Sequence, residues 1–371
     1  KKIKIGYYSS DFKQHAMSNL IAGMLEAHDK NKFEIIGFSL TQSKSDKMRS
    51  RIINACDKFL DVSSHTDYEI SEISKKMEID IAVDLMGFTK LNRFEIFMKG
   101  CAPIQINYLG YPGTLGSDNI DYIVADKILI PQENTKYYNE NIIYLPNSYQ
   151  ANDSKRKISK KNFTRENFNL PDNSFVFCCF NKKYKFDPKT FSLWMKILDQ
   201  TKDSVLWLLN DNNDSTKNLI NEAKLRNINT KRIIFSEKLP MEEHLARHKL
   251  ADIFLDTFPY GAHTTCSDAL WTGLPVITKI GNTFASRVSS SLLNNLDLNE
   301  LITENDNQYV NLAIQLASNK KKYNLIKEKL KINIQKKPLF DTLNFTKDIE
   351  KAYILAFNRF LQNLPTTNII I

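Results

Sequence analysis

Short, continuous apolar runs recur along this chain in two series, each interleaved with stretches of helical periodicity, and this pattern leaves few folds open. In the first series the runs at 3–8, 33–38, 79–85, 104–109 and 120–124 alternate with helix-like stretches at 20–27, 47–54 and 68–77. A strand that is apolar along its whole length, rather than at every second residue, must be covered on both faces. A parallel sheet with crossover helices on either side supplies that cover. Residues 147–173 then lose apolar periodicity, turn polar and basic, and end in Leu170-Pro171-Asp172-Asn173. A second series follows at 175–180, 205–209, 232–235, 253–255 and 276–278, with helical candidates at 188–200, 216–226, 242–249 and 285–296. The pattern predicts an α/β protein of two doubly wound, Rossmann-like domains, residues 1–150 and 174–340, joined by a linker at 151–173. The length of 371 residues suits two cores better than one. Residues 345–361 carry Ile349, Ala352, Tyr353, Leu355, Ala356 and Phe360 at helical spacing, so a C-terminal helix within 341–371 is expected to dock back. Ligands of open α/β sheets sit beyond the strand C-termini, so two such domains facing each other are expected to hold a site in a central cleft.

Composition removes several classes of function. No run of about 18 apolar residues exists to span a membrane, and the apolar stretch at residues 3–8 is too short for a signal peptide and reads as a first strand. Cys56, Cys101, Cys178, Cys179 and Cys266 are odd in number and scattered, without a disulfide or zinc spacing, which favours a reducing cytoplasm. The net charge of +9 raises the question of nucleic acid. Its densest runs lie at 155–161 and 320–337, and in the second the lysines alternate with Leu325, Ile326, Leu330, Ile332 and Ile334 as on the solvated face of an amphipathic helix. No aromatic residues interleave with the basic ones to stack bases, so no nucleic-acid partner is expected.

The chemistry is concentrated where the predicted strands end. After the apolar run at 253–255, Gly261-Ala262-His263-Thr264-Thr265 leads into a short helix closed by Gly273 and Pro275. Paired hydroxyls at a helix N-terminus, with free N–H groups and the positive end of the dipole, suit a phosphate, although the same threonines could serve only as caps. Asp268 returns to the face of Thr264 one turn on and can accept from a ribose hydroxyl. Asp11 and His15 follow the first strand, while Asp84, Gly87 and Thr89 end another. Leu109-Gly110-Tyr111-Pro112-Gly113-Thr114-Leu115-Gly116 spends three glycines in one loop, which fits close approach to a ligand or a bare chain reversal. Lys182, Lys183 and Lys185 stand between a strand and a helix opening at Pro188, where a diphosphate or only solvent could meet them. His244 and Arg247 share a helix face. His244 and His248 have metal-ligand spacing but no carboxylate between them, and Asp211 and Asp214 read as turn residues, so no metal is expected.

Six blocks, in order, turn these separate signals into one resemblance. They are Gly6-Tyr7-Tyr8-Ser9-Ser10-Asp11-Phe12 with His15; Ala102-Pro103-Ile104-Gln105 with Leu109 to Thr114; Phe180-Asn181 with Tyr184-Lys185 and Asp187-Pro188; Glu242-Glu243-His244 with Arg247, Leu250-Ala251-Asp252 and Leu255-Asp256-Thr257; Gly261 to Thr265 with Asp268, Leu270-Trp271, Gly273 and Pro275; and Ala285-Ser286-Arg287-Val288. From about residue 3 to about residue 360 the chain resembles the catalytic region of the protein O-GlcNAc transferase family, in its bacterial form. The resemblance implies a two-lobed GT-B glycosyltransferase that inverts the anomeric centre, uses a UDP-sugar, and needs no metal or other cofactor. The acceptor it implies is a serine or threonine of another protein. Lys185 would hold the diphosphate, flanked by His263, Thr264 and Thr265. Asp268 would take the ribose, His244 and Arg247 would sit by the uridine and its phosphates, and His15 with Asp11 would lie near acceptor and sugar. Asn181, Lys182, Tyr184, Leu239, Gly113 and Thr114 complete the implied donor contacts. The chain departs from animal members in carrying Lys182 where they have glutamine and Met241 where they have lysine, and in having only a short linker between the lobes. Helical repeats that precede the lobes in animal members are a possible upstream part. A UDP-glucose-dependent transferase acting on asparagine, a UDP-sugar epimerase on the same scaffold and a nucleotide-sugar binder without turnover remain as alternatives.

Overall fold

Every ladder in the molecule's two sheets is parallel, as the apolar runs require. The computed structural model describes residues 1–371 and separates into two compact units, Lys1–Lys155 with Pro338–Ile371, and Arg156–Lys337. In the first, β1 (Ile3–Ser9), α1 (Ala16–Ala27), β2 (Phe33–Ser39), α2 (Lys47–Ala55), β3 (Lys58–Asp61), α3 (Asp67–Lys76), β4 (Ile81–Asp84), α4 (Glu95–Met98), β5 (Ile104–Asn107), β6 (Tyr122–Ala125) and β7 (Asn141–Tyr144) follow in order. In the second come β8 (Phe175–Cys179), α5 (Pro188–Gln200), β9 (Ser204–Leu209), α6 (Asn213–Leu225), β10 (Ile233–Ser236), α7 (Met241–Arg247), β11 (Ile253–Leu255), α8 (Thr264–Trp271), β12 (Val276–Lys279), α9 (Phe284–Asn294), β13 (Ile302–Thr303), α10 (Asp306–Ser318) and α11 (Lys320–Lys336). The chain then returns to the first unit with α12 (Thr342–Leu361) and β14 (Ile369–Ile370), the latter pairing with β7.

Strand order locates the useful end of each sheet. The first runs β14-β7-β6-β5-β4-β1-β2-β3 and the second β10-β9-β8-β11-β12-β13. In both, the chain leaves a central strand in one direction and returns to its other side. The β1/β4 and β8/β11 pairs are therefore the topological switch points, where crossover helices diverge and a crevice opens. The strands that define them are sealed: Ile5, Tyr7, Tyr8, Ile81 and Val83 in one unit, and Phe177, Cys178, Ile253 and Phe254 in the other, are fully buried. Local signals set the helix starts. Thr66 and Glu69 form a reciprocal capping box at α3, and Asp187 caps α5 through Oδ1 to Thr190 N (2.7 Å), with Pro188 in the first turn.

The boundaries differ from the sequence reading in one respect. Residues 151–155 cluster with the first unit and 156–173 with the second, so the stretch expected to be a linker is divided between them, and residues 338–371 belong to the first unit. The surroundings of His28 also differ. Its flanking residues suggest a polar setting, yet the ring is buried, with Nδ1 2.9 Å from Glu350 Oε1 and Nε2 2.9 Å from the Tyr7 hydroxyl, which lies 3.2 Å from that of Tyr353. This polar chain fastens α12 against α1 and β1.

Candidate active site

In the second unit the loops after β8 and β11 leave the switch point side by side and are stitched together. Asn181 gives Nδ2–H to the Thr257 hydroxyl (2.8 Å) and accepts from the Thr265 hydroxyl at the start of α8. The buried Asp256 carboxylate accepts from Thr257 N (2.7 Å), Ala262 N (2.6 Å) and the Thr278 hydroxyl (2.6 Å), which fixes the loop between β11 and α8. A 3-10 turn at Lys183–Lys185 sends its two lysines in different directions. Lys183 Nζ donates to Ser215 and Thr216 at the head of α6 (2.8 and 2.9 Å). Lys185 Nζ donates to Gly261 O (3.1 Å) and lies 4.4 Å from the centre of the Tyr260 ring, whose other neighbour is the stacked ring of His263. Burial pulls the Lys185 pKa down to about 8, with Asp256 and Cys179 opposing the fall.

His263 stands immediately before α8 and bonds through Nε2 to Ala285 O (3.0 Å), so Nε2 carries the proton. Burial and the nearby Lys185 charge hold the ring neutral, its pKa lowered to about 3. The Thr264 hydroxyl takes no partner from the chain. Asp268, one turn further on, is buried against Arg156, whose Nη1 lies 2.7 Å from Oδ1. Beyond β10, the Arg247 guanidinium is wholly buried. Its Cζ lies 4.3 Å from the centre of the Phe180 ring and it gives Nη1–H to Glu237 O (2.8 Å), while Nε and Nη2 find no partner. His244 meets the edge of the same Phe180 ring (5.3 Å), and burial pushes its pKa well below the usual value. Leu239 is half-buried in the loop leading to α7, while Lys182 and Tyr184 are exposed. The unit thus gathers Asn181, Lys185, Thr264, Thr265 and His263 around one helix N-terminus, with His244 and Arg247 of α7 packed on Phe180.

The first unit has its own cluster beyond β1 and β4. His15 caps α1, with Nδ1 accepting from Met17 N (3.3 Å) and lying 3.4 Å from Asp11 Oδ2; its side chain is 46% exposed. Asp84 is buried at the end of β4 and accepts from Met86 N (2.8 Å) and Gly87 N (3.1 Å), and burial raises its pKa to about 6. In the loop after β5, the Thr114 hydroxyl is bound to Glu140 (2.6 Å), and Gly113 O accepts from Asn107 (2.9 Å). A Cβ at Gly110 would lie 2.0 Å from Leu85 O, so glycine there serves close packing of the loop on the end of β4.

The glycosyl transferase family 41 model matches this chain over residues 1–162 and 154–349. The chain belongs to glycosyl transferase family 41. Among family members, the probable UDP-N-acetylglucosamine–peptide N-acetylglucosaminyltransferase SEC of Arabidopsis thaliana is 35% identical over 364 residues, covering 96% of this chain and 37% of the plant protein. A mutant of the Thermobaculum terrenum O-GlcNAc transferase superposes with a TM-score of 0.91 at 28% identity, over 98% of this chain and 69% of that one. The fold is therefore GT-B. A putative UDP-N-acetylglucosamine 2-epimerase from Listeria monocytogenes, at TM-score 0.57 and 15% identity, shares the fold alone. The chain spans 37% and 42% of the length of two curated relatives, from Arabidopsis thaliana and Caenorhabditis elegans.

Within this family 41 chain, the sequence reading gave no role to three residues that shape the site. Arg156 sits in a run of lysines that reads as a solvated face, and its identity as arginine is the one clue to a buried, forked contact. Asp256 directly follows the apolar strand β11, which is a signal for a buried anchor. Glu140, the partner of Thr114, offers no local signal. No three His, Cys, Asp or Glu side chains converge as a metal-holding group, and no helix is long and apolar enough to cross a membrane.

Proposed function

We propose that this chain is the catalytic region of an inverting transferase that moves N-acetylglucosamine from UDP-GlcNAc to a serine or threonine hydroxyl of a protein, without a metal ion. The observation that carries the reading is the pairing of Lys185 with the N-terminus of α8 at the β8/β11 switch point, in a chain of this family. The acceptor oxygen attacks the anomeric carbon from the face opposite the diphosphate. As the new C–O bond forms, the old one breaks and its electron pair leaves on the β-phosphate of UDP. The Lys185 ammonium and the free N–H groups and Thr264 hydroxyl at α8 offset that charge, which is the work a divalent cation does elsewhere. Neutral His263, with Nε2 committed to Ala285 O, buttresses Tyr260 beneath the lysine.

The proton of the acceptor hydroxyl leaves late, because serine is a very weak acid, and passes to an oxygen of the departing diphosphate or to water. The cap bond from Met17 N engages the His15 Nδ1 lone pair, so the proton of the neutral ring resides on Nε2, which can donate to sugar or acceptor. His15 therefore acts mainly by positioning, with Asp11 available to draw the proton to Nδ1 and free Nε2 as a base. Asn181 orders the donor loops, and Asp268, His244 and Arg247 receive the uridine. Five free cysteines suit work in a reducing compartment such as the cytoplasm.

The test is intact mass of a Ser/Thr-rich acceptor polypeptide after incubation with UDP-GlcNAc or UDP-glucose. An added N-acetylhexosamine, removed by base-catalysed elimination, supports the reading. A hexose on asparagine, or donor conversion with no acceptor modified, overturns it.

A further inference from the structure

Arg156 is the first residue of the second unit, and its side chain does not reach for solvent as the lysines beside it do. It turns inward onto α8, where Nη1 donates to Asp268 Oδ1 at 2.7 Å and Nη2 approaches the Ser267 hydroxyl at 3.3 Å. Its guanidinium carbon lies 5.4 Å from the centre of the Trp271 ring, one turn along the same helix. Both charged side chains are almost sealed, at 5% and 4% exposure. Oδ2 of Asp268 takes no hydrogen bond from the chain, and the carboxylate stands one helical turn from Thr264 at the phosphate end of α8.

We propose that Arg156 is a positioning residue of the nucleotide site, clamping Asp268 through Oδ1 so that Oδ2 meets the vicinal diol of a ribose, and thereby selecting ribonucleotides over 2′-deoxyribonucleotides. The proposal rests on Asp268 as the ribose ligand and adds what orients it. An arginine that donates to two acceptors and rests over an indole ring fixes the carboxylate plane, and a carboxylate with one oxygen fixed and one free suits two adjacent hydroxyl donors. Arg156 also keeps Asp268 anionic. Burial raises the Asp268 pKa to about 6, and Arg156 opposes the rise. The other ionisable groups near α8 do not take over that role. Cys266 is buried and held as a thiol, the Asp256 carboxyl is occupied by Thr257 N, Ala262 N and the Thr278 hydroxyl, and Arg287 of α9 gives Nη1–H to Gly281 O.

The experiment is calorimetric binding of UDP and 2′-deoxy-UDP to the wild-type chain, Arg156→Met, Arg156→Lys and Asp268→Asn, between about pH 6.5 and about pH 8.5. Wild type should prefer UDP by roughly tenfold and bind it evenly across this range. Arg156→Met should bind UDP roughly 10- to 100-fold more weakly at the acid end, lose most of the preference, and recover affinity as rising pH ionises Asp268. Arg156→Lys keeps the charge and should stay flat with pH while losing part of the preference, which serves if the methionine variant does not fold. Equal losses for both nucleotides at every pH would mean that Arg156 only stabilises the fold, and would overturn the proposal. If Asp268→Asn loses the preference while both Arg156 variants keep it, the ribose assignment stands and the role of Arg156 falls. If Asp268→Asn keeps it, both fall together.

Discussion

Replacing Lys185 by methionine should cost activity and add stability, and the two effects come from the same buried charge. During transfer the β-phosphate gains between half and a whole unit charge. A cation about 4 Å away, at the effective dielectric of a protein site, contributes about 4 kcal/mol per unit charge, so its loss raises the barrier by about 2–4 kcal/mol. That is a fall of roughly 30- to 1,000-fold in turnover at saturating donor. The stability effect has the opposite sign. The Lys185 ammonium is lost at about pH 8 in the folded chain and near the ordinary lysine value of 10.5 when unfolded. Below pH 8 both states are charged, so the fold bears the full burial cost, of order 3 kcal/mol, and the cost fades as pH rises from 8 towards 10.5. Methionine fills the space without the charge. The variant should therefore melt higher than wild type at pH 7, with the gap closing by pH 10. Initial rates of UDP release at saturating donor, with melting curves at the two pH values, check both halves. Turnover within a few fold of wild type would refute the electrostatic role, and a variant that melts lower at pH 7 would refute the buried-charge account.

Excess chelator should leave turnover unchanged. Loss with EDTA and recovery with magnesium or manganese would show that a cation, not Lys185 and α8, carries the leaving-group charge. His15→Asn should keep most activity and its melting temperature, since asparagine both caps a helix and donates a hydrogen bond, whereas His15→Ala should raise KM and lose about 1 kcal/mol of stability with the cap. A loss of about 10²-fold or more in turnover for His15→Asn, with the acidic limb of the pH–rate profile gone, would instead make His15 the base. Gly110→Ala should destabilise the first unit by about 3 kcal/mol, read by urea titration, because its Cβ would fall 2.0 Å from Leu85 O. An unchanged midpoint would mean that the loop gives way.

What could be read from the sequence was what neighbours in the chain share. The central strands are buried on both faces and announce themselves as apolar runs, and the N-terminus of α8 is written within five residues. The edge strands do not show. Lys58–Asp61 reads exposed, half-buried, half-buried, exposed, and Ile369–Ile370 is too short for any period. Pairings across long separations were also out of reach. Asp29-Lys30-Asn31-Lys32 beside His28 reads as surface, while the groups that bury it, Tyr7, Glu350 and Tyr353, lie elsewhere in the chain. Arg156 and Asp268 are likewise 112 residues apart. Local periodicity reports which face of an element is covered but not by which distant residue, so the loops at the strand ends were legible and the side chains that brace them were not.

Because residues 338–371 complete the first unit, the order of synthesis and the order of assembly disagree. The ribosome delivers β1 through β7 early, yet the edge of β7 has no partner until Ile369 and Ile370 emerge, and α1 has no α12 to rest on. The second unit, whose sequence is continuous, is made in full during that wait. A nascent chain thus exposes an open parallel edge and the bare face of α1 for as long as it takes to translate everything after Tyr144. Termination between Lys337 and Thr342 would strand the first unit without its last helix while the second unit lacks nothing of its own sequence. Truncated products should accordingly aggregate through the β7 edge rather than through the donor-binding unit.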